Sequence, residues 1–275
     1  MGTLEEVKKL KELDELFKCW KKKQSNDSGE ETCNSQDGYV VATNSFYKDG
    51  IVNSVEYQNS EHNKRKVLFI TNEVSINRKE DNAEKNPELR GNCDAGHLVG
   101  NNEGNTVCSF TNYINGEEQE TWSGKMRIKF GEMYRIITEG ENYKIESPFD
   151  EKANKQALNK IAFMNLNKRG GFGNIQGENF LKYIETYKDY IRREIEIINP
   201  DVIVWCACNT YKKKYMDAIF DNKDVWKKKK LIPDKNKVPI LRMWHPSVRA
   251  KSMEKYLNKF SEVWEEYEKA KDGNK

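Results

Sequence analysis

Four short runs, VLFIT (67–71), IAFM (161–164), VIVW (202–205) and PILRMW (239–244), are apolar almost without interruption. A strand with one face in water alternates apolar and polar residues, whereas a strand that does not alternate is covered on both faces. Such strands belong to mostly parallel sheets, with the crossover helices lying on either side. The segments between and around the runs supply helices of that kind. Phe180, Ile184, Tyr187, Ile191, Ile195 and Ile198 fall on one stripe of helical period, and Pro200 ends it. Met253, Tyr256, Leu257, Phe260, Val263, Trp264 and Tyr267 form a second stripe after the last run. At the start of the chain, Leu4, Val7, Leu10, Leu13, Phe17 and Trp20 share one face of a charged stretch, which predicts an N-terminal amphipathic helix packed on the rest. The expected fold class is α/β, a mostly parallel central sheet flanked by helices on both faces.

A chain of 275 residues is long enough for one such domain. Residues 1–36 read as the N-terminal helix and a polar linker. Residues 77–150 read as an insertion or irregular lid, because Gly and Asn punctuate them and MRIKFGEMYRIIT suits a strand or a short helix. Charged residues make up 33% of the chain, which demands a strongly polar surface, while 11% aromatic residues argue against wholesale disorder. No apolar run approaches the roughly 20 residues of a membrane helix, and the opening MGTLEEVKKL is charged where a signal peptide is apolar. The expectation is a cytoplasmic monomer without a membrane partner. In that compartment the six cysteines are free thiols, with Cys206 and Cys208 acting as small buried residues. Cys93, His97 and Cys108 lack the paired spacing of metal ligands, so no metal is expected. The net charge is only +3, yet lysines cluster at 21–23, 212–214 and 227–230 and make local basic faces.

Chemistry is concentrated at the ends of the strands. Connections in parallel sheets are right-handed, so successive strands finish at one edge, which is where open α/β folds bind ligands. Glu73 follows the first run, Asn165 the second and His245 the fourth. An acid can orient or deprotonate a water, an amide offers a donor and an acceptor to a heterocycle, and an imidazole stabilises charge on a leaving group. The glycine-rich RGGFGN at 169–174 lacks the lysine and serine of a P-loop and the spacing of a dinucleotide fingerprint.

The order TNEVS after one strand, MNLNK after the next, INPDVIVW through a helix end and strand, and WHPSVR after the last resembles the uracil-DNA glycosylase superfamily. The similarity spans about residues 65–75 and 160–260. It implies that Glu73 is the water-activating acid, Asn165 the pyrimidine-reading amide and His245 the catalytic histidine. It also implies that Ser247 and the backbone around Gly171 hold phosphates, while Arg249 enters the duplex as a wedge. Phe172 and Phe110 are the candidates for the aromatic that stacks on the base. The family's Gly and Pro around the acid are absent from TNEVS, and the cysteines do not follow its iron-sulfur branches, so no cofactor is expected.

The expected activity is hydrolysis of the N-glycosidic bond of a pyrimidine flipped out of DNA, either uracil or a modified cytosine of phage DNA. Excision of phage bases places the protein in antiviral defence rather than repair. Two other classes fit parts of the pattern. A nucleic-acid-binding protein without catalysis uses the lysine runs but has no need of Glu73 and His245 together. A small-molecule α/β enzyme uses the strand-end residues but not DNA.

Overall fold

The apolar runs form a sheet. The computed structural model describes residues 4–26, 46–75, 103–116, 122–145, 149–171, 177–207, 212–220, 238–247 and 252–272. In it five strands are hydrogen-bonded side by side in the order β2 (Gly50–Ile51), β5 (Ile161–Gly171), β3 (Val67–Ser75), β6 (Val202–Trp205) and β7 (Ile240–Arg242). The four longer-range neighbours β5, β3, β6 and β7 are parallel, and β2 joins the β5 edge antiparallel. A separate parallel pair joins β1 (Phe46–Lys48) to β4 (Glu103–Asn105).

Side chains alternate across the sheet and meet a helical layer on each side. Leu68, Ile70, Ala162, Met164, Ile203 and Trp205 face a core that includes residues of α1 (Leu4–Lys9), α2 (Leu13–Asn26), α7 (Gly177–Ile198) and α8 (Lys212–Phe220). Val67, Phe69, Ile161, Phe163, Val202 and Leu241 face α4 (Thr106–Asn115), α5 (Trp122–Glu139), α6 (Glu151–Leu158) and α9 (Met253–Asp272). A short α3 (Ser54–Gln58) follows β2, its first turn capped by the Asn53 side chain, which accepts from the Val55 and Glu56 amides. Burial of each large apolar side chain contributes on the order of 1.5–3 kcal/mol, so the doubly covered strands are the main source of stability. No helix among the described residues is long and apolar enough to cross a membrane.

Four sequence expectations change. The N-terminal stripe is broken into α1 and α2, because the chain turns at Leu10, whose N–H bonds to the Val7 carbonyl at 3.2 Å. The second apolar run continues as β5 to Gly171, so RGG belongs to a strand and Asn165 lies within it rather than after it. Glu73 likewise lies inside β3. Within 77–150, the described part carries α4, the 18-residue α5 and the start of the α6 approach, and both helices bury residues against the sheet. Gly131 weakened the helical signal of α5, but a Cβ there would overlap the Asn154 side chain of α6. The glycine allows that close approach, and Asn154 Nδ2 then reaches the Ile128 carbonyl at 2.9 Å and Glu132 at 2.8 Å. The expected end of α7 is found where it was read: Asn199 adopts φ 50° and Pro200 follows.

Candidate active site at the carboxyl edge of the sheet

The strand order fixes where a crevice can open. From β3 the chain moves outward to β5 on one side, then returns past β3 to β6 and β7 on the other. Strand order reverses between β3 and β6, and the carboxyl ends flanking such a reversal are the usual ligand site of open α/β sheets. Ile70 pairs with Trp205, the last residue of β6, and beyond that level β3 and β5 run on together with Thr71 opposite Asn165 and Glu73 opposite Asn167. Asn165 therefore sits at the level where the wider sheet ends.

Asn165 follows Ile161 and Phe163 in the alternation and so belongs to the face covered by α5 and α9. Its Oδ1 accepts from the Thr71 hydroxyl at 2.6 Å, and its backbone N–H donates to Asp49 Oδ2 at 2.6 Å. Thr71 thereby sets the orientation of the amide, leaving a second lone pair on Oδ1 and the Nδ2 donors for recognition. Asn165 is only 2% exposed, so a ligand reaches it only when what covers it moves aside.

His245 lies three residues beyond β7, in a turn held at several points. The Tyr256 hydroxyl of α9 donates to the Trp244 carbonyl at 2.6 Å. Lys129 of α5 donates from Nζ to the Pro246 carbonyl at 2.5 Å and stands 4.5 Å from the centre of the Tyr256 ring. The Ser247 N–H donates to His245 Nδ1 at 3.2 Å, and the Ser247 hydroxyl lies 2.6 Å from the same nitrogen. A ring nitrogen that accepts a backbone N–H carries no proton, so in the neutral ring the proton is on Nε2. His245 retains some surface exposure, yet its ring is crowded by protein atoms; this burial, reinforced by the nearby Lys129 charge, lowers its pKa to about 4. At neutral pH the group is an uncharged imidazole presenting one N–H donor. Burial also lowers the pKa of Lys129.

The other residues read from the sequence are placed as follows. Glu73 is fixed by backbone position on β3, opposite Asn167. Gly171 is the last residue of β5, where it pairs with Ser75 instead of lying in a phosphate-binding loop. Phe172 and Arg249 lie outside the described residues. Phe110 is a core residue in this arrangement, 2% exposed and packed 5.1 Å from Phe163 and 6.0 Å from Phe130, ring centre to centre. Ser247 partners the ring, with its N–H donating to His245 Nδ1 and its hydroxyl 2.6 Å from the same nitrogen. Among the described residues no group of His, Cys, Asp or Glu is arranged to hold a metal ion.

Lys129, Thr71, Tyr256 and Asp49 escaped the sequence reading. Lys129 left a trace, since it falls between Met126 and Met133 on the helical spacing that buries Phe130 and Ile137. A lysine inside an apolar stripe is a signal of buried charge. No protein-family model, curated protein or solved structure matches this chain.

Proposed function

We propose that this chain is a monofunctional DNA glycosylase with a uracil-DNA glycosylase-like fold, acting on a pyrimidine flipped out of the duplex. The observation that carries this reading is the state of His245, a half-buried neutral ring oriented through Nδ1 and offering Nε2–H at the carboxyl edge of a parallel sheet. Cleavage breaks the bond from the sugar C1′ to the base nitrogen, and the electron pair leaves with the base. A neutral imidazole with a pKa of about 4 is suited to donate a hydrogen bond to the resulting anion. Such a preorganised donor lowers the barrier by about 3 kcal/mol. Water supplies the new oxygen bond at C1′ and gives its proton to the Glu73 carboxylate, and Asn165 reads the base with its amide.

The strand order β5-β3-β6-β7 supports the reading, because in a parallel arrangement Asn165 and Glu73, beyond the level where β6 ends, and His245, beyond β7, fall toward one edge. The absence of Gly and Pro around Glu73 and the helices contributed by 103–145 favour a remodelled pocket, which suits a modified cytosine as well as uracil. Release of phage-modified bases would make the protein a defence factor.

The experiment is to incubate the protein with plain, uracil-containing and phage-modified DNA and to score alkali-labile abasic sites. Release from one of the last two, with none from plain DNA, is the expected result. DNA binding without abasic sites on any substrate replaces this reading with a non-catalytic one, and lack of both points to a small-molecule enzyme. Borohydride should trap no protein-DNA adduct, because no motif places a lysine as a Schiff-base nucleophile and the Lys129 amine beside His245 donates to the Pro246 carbonyl. A trapped adduct at Lys129 would replace water attack with a Schiff-base mechanism.

A further inference from the structure

Three segments meet at the His-Pro-Ser turn: the turn itself, α9 through Tyr256, and α5 through Lys129. The first two belong to the region that resembles a known superfamily, whereas α5 lies in the region that does not. Its lysine is 5% exposed, which for an ammonium on a long flexible stem requires specific partners. Its partners include the Pro246 carbonyl at 2.5 Å and the face of the Tyr256 ring. Pro246 is the residue between His245 and Ser247, and Ser247 is the one that orients the ring. A grip on the central carbonyl therefore holds both ends of the hydrogen bond to Nδ1.

We propose that Lys129 is a positioning residue for His245: its ammonium clamps the Pro246 carbonyl so that the Ser247 N–H stays on Nδ1 and Nε2–H keeps a fixed direction. The clamp acts on the turn, not on the substrate. It also places a positive charge beside the ring, and this charge opposes protonation of the imidazole alongside the larger effect of burial. Among the described residues, groups that face the turn from its neighbours include Lys129 on α5 and the Tyr256 phenol on α9, with Ser247 inside the turn. The role in turnover rests on the glycosylase reading, but the clamp itself does not.

Two readouts on the full-length protein separate the two claims. The first is nuclear magnetic resonance of the His245 ring and of the Ser247 amide. In Lys129→Met the Ser247 amide should exchange at least tenfold faster, and the ring should titrate above the wild-type value of about 4 while remaining below 6.5. Lys129→Arg should restore both. Lys129→Gln keeps a donor for the carbonyl without the charge, so it should retain amide protection yet raise the ring pKa as Met does. This variant also serves if Met fails to fold. Unchanged exchange and titration in folded Met protein, or in Gln an exchange rate as fast as an unprotected amide, overturns the clamp.

The second readout is single-turnover base release. If the wild type releases a base, Lys129→Met should lose about tenfold or more in rate with DNA binding kept within twofold, and Lys129→Arg should recover most of it. Equal loss of binding and rate overturns the positioning role. If the wild type releases no base from any DNA, the glycosylase reading fails, and the resonance measurements still decide the clamp.

Discussion

Each face of the sheet buries a lysine, and the two are held in different ways. Lys168, on β5 beneath α2 and α7, is wholly buried and bonds to Asp49 and, at 3.0 Å, to Glu194, with the rings of Phe17 and Trp20 centred 5.4 and 5.3 Å from its nitrogen. Burial, and then the Asp49 charge, raises the pKa of Glu194 well above the carboxylate range, with Lys168 offsetting only part of this. Lys129, on the opposite face, meets a carbonyl oxygen and an aromatic ring, and it sits beside an uncharged imidazole. Lys168 is paired with two carboxyl groups inside the core. The Lys129 charge lies close to the His245 ring and opposes its protonation.

Removal of each lysine is the strongest way to break this contrast. Lys168→Met leaves the Asp49 carboxylate buried without its cation, and breaking a buried pair in that way costs about 3–5 kcal/mol. Lys129→Met leaves a carbonyl short of one donor, a loss of about 1–3 kcal/mol. Urea unfolding of the two variants should rank them in that order, and equal destabilisation would abolish the distinction. Lys168→Met combined with Asp49→Asn and Glu194→Leu should recover most of the loss, because it removes the charges while keeping an acceptor for the Asn165 N–H.

The second test sharpens the contrast at the site. His245→Ala should reduce base release by about 100- to 1000-fold, as loss of a preorganised donor does, while DNA affinity changes little. Turnover assays with filter-binding controls check this outcome. A parallel fall in affinity would move His245 to the structural side of the comparison.

Legibility in the sequence followed the same divide. The doubly buried strands and the stripes of α7 and α9 were readable, because apolar residues recur there with a clean period and Pro200 marks the end of α7. His245 and Asn165 were readable as polar residues closing apolar runs. Their partners were not. Thr71 and Asp49 reach Asn165 across 94 and 116 residues of chain, and no local pattern encodes such a meeting. The helix carrying Lys129 was obscured by Gly131, whose absent side chain makes room for Asn154. Lys168 hides in plain view: it continues the inward series Ala162, Met164 and Leu166, and a charge in that register forecasts buried partners.

The smallest effect expected is also the one in which the two faces act with opposite sign. His245 has a folded pKa of about 4, below the 6.5 of an unperturbed histidine, so between these values the unfolded chain binds more protons. Its contribution is fully present above pH 6.5 and is lost as the pH falls through 4. Glu194 has a folded pKa above its ordinary 4.5, so the folded chain binds more protons there, and stability is lost as the pH rises from that value through the raised one. Between about pH 4.5 and 6.5 the two slopes oppose each other, each at most about 1.4 kcal/mol per pH unit. Relative to wild type, His245→Ala should make stability fall more steeply as the pH rises through this window, and Glu194→Gln should make it climb more steeply. Urea midpoints at pH 4.5, 5.5 and 6.5 measure both differences. If the two variants shift the slope in the same direction, the opposite pKa shifts assigned to His245 and Glu194 are wrong.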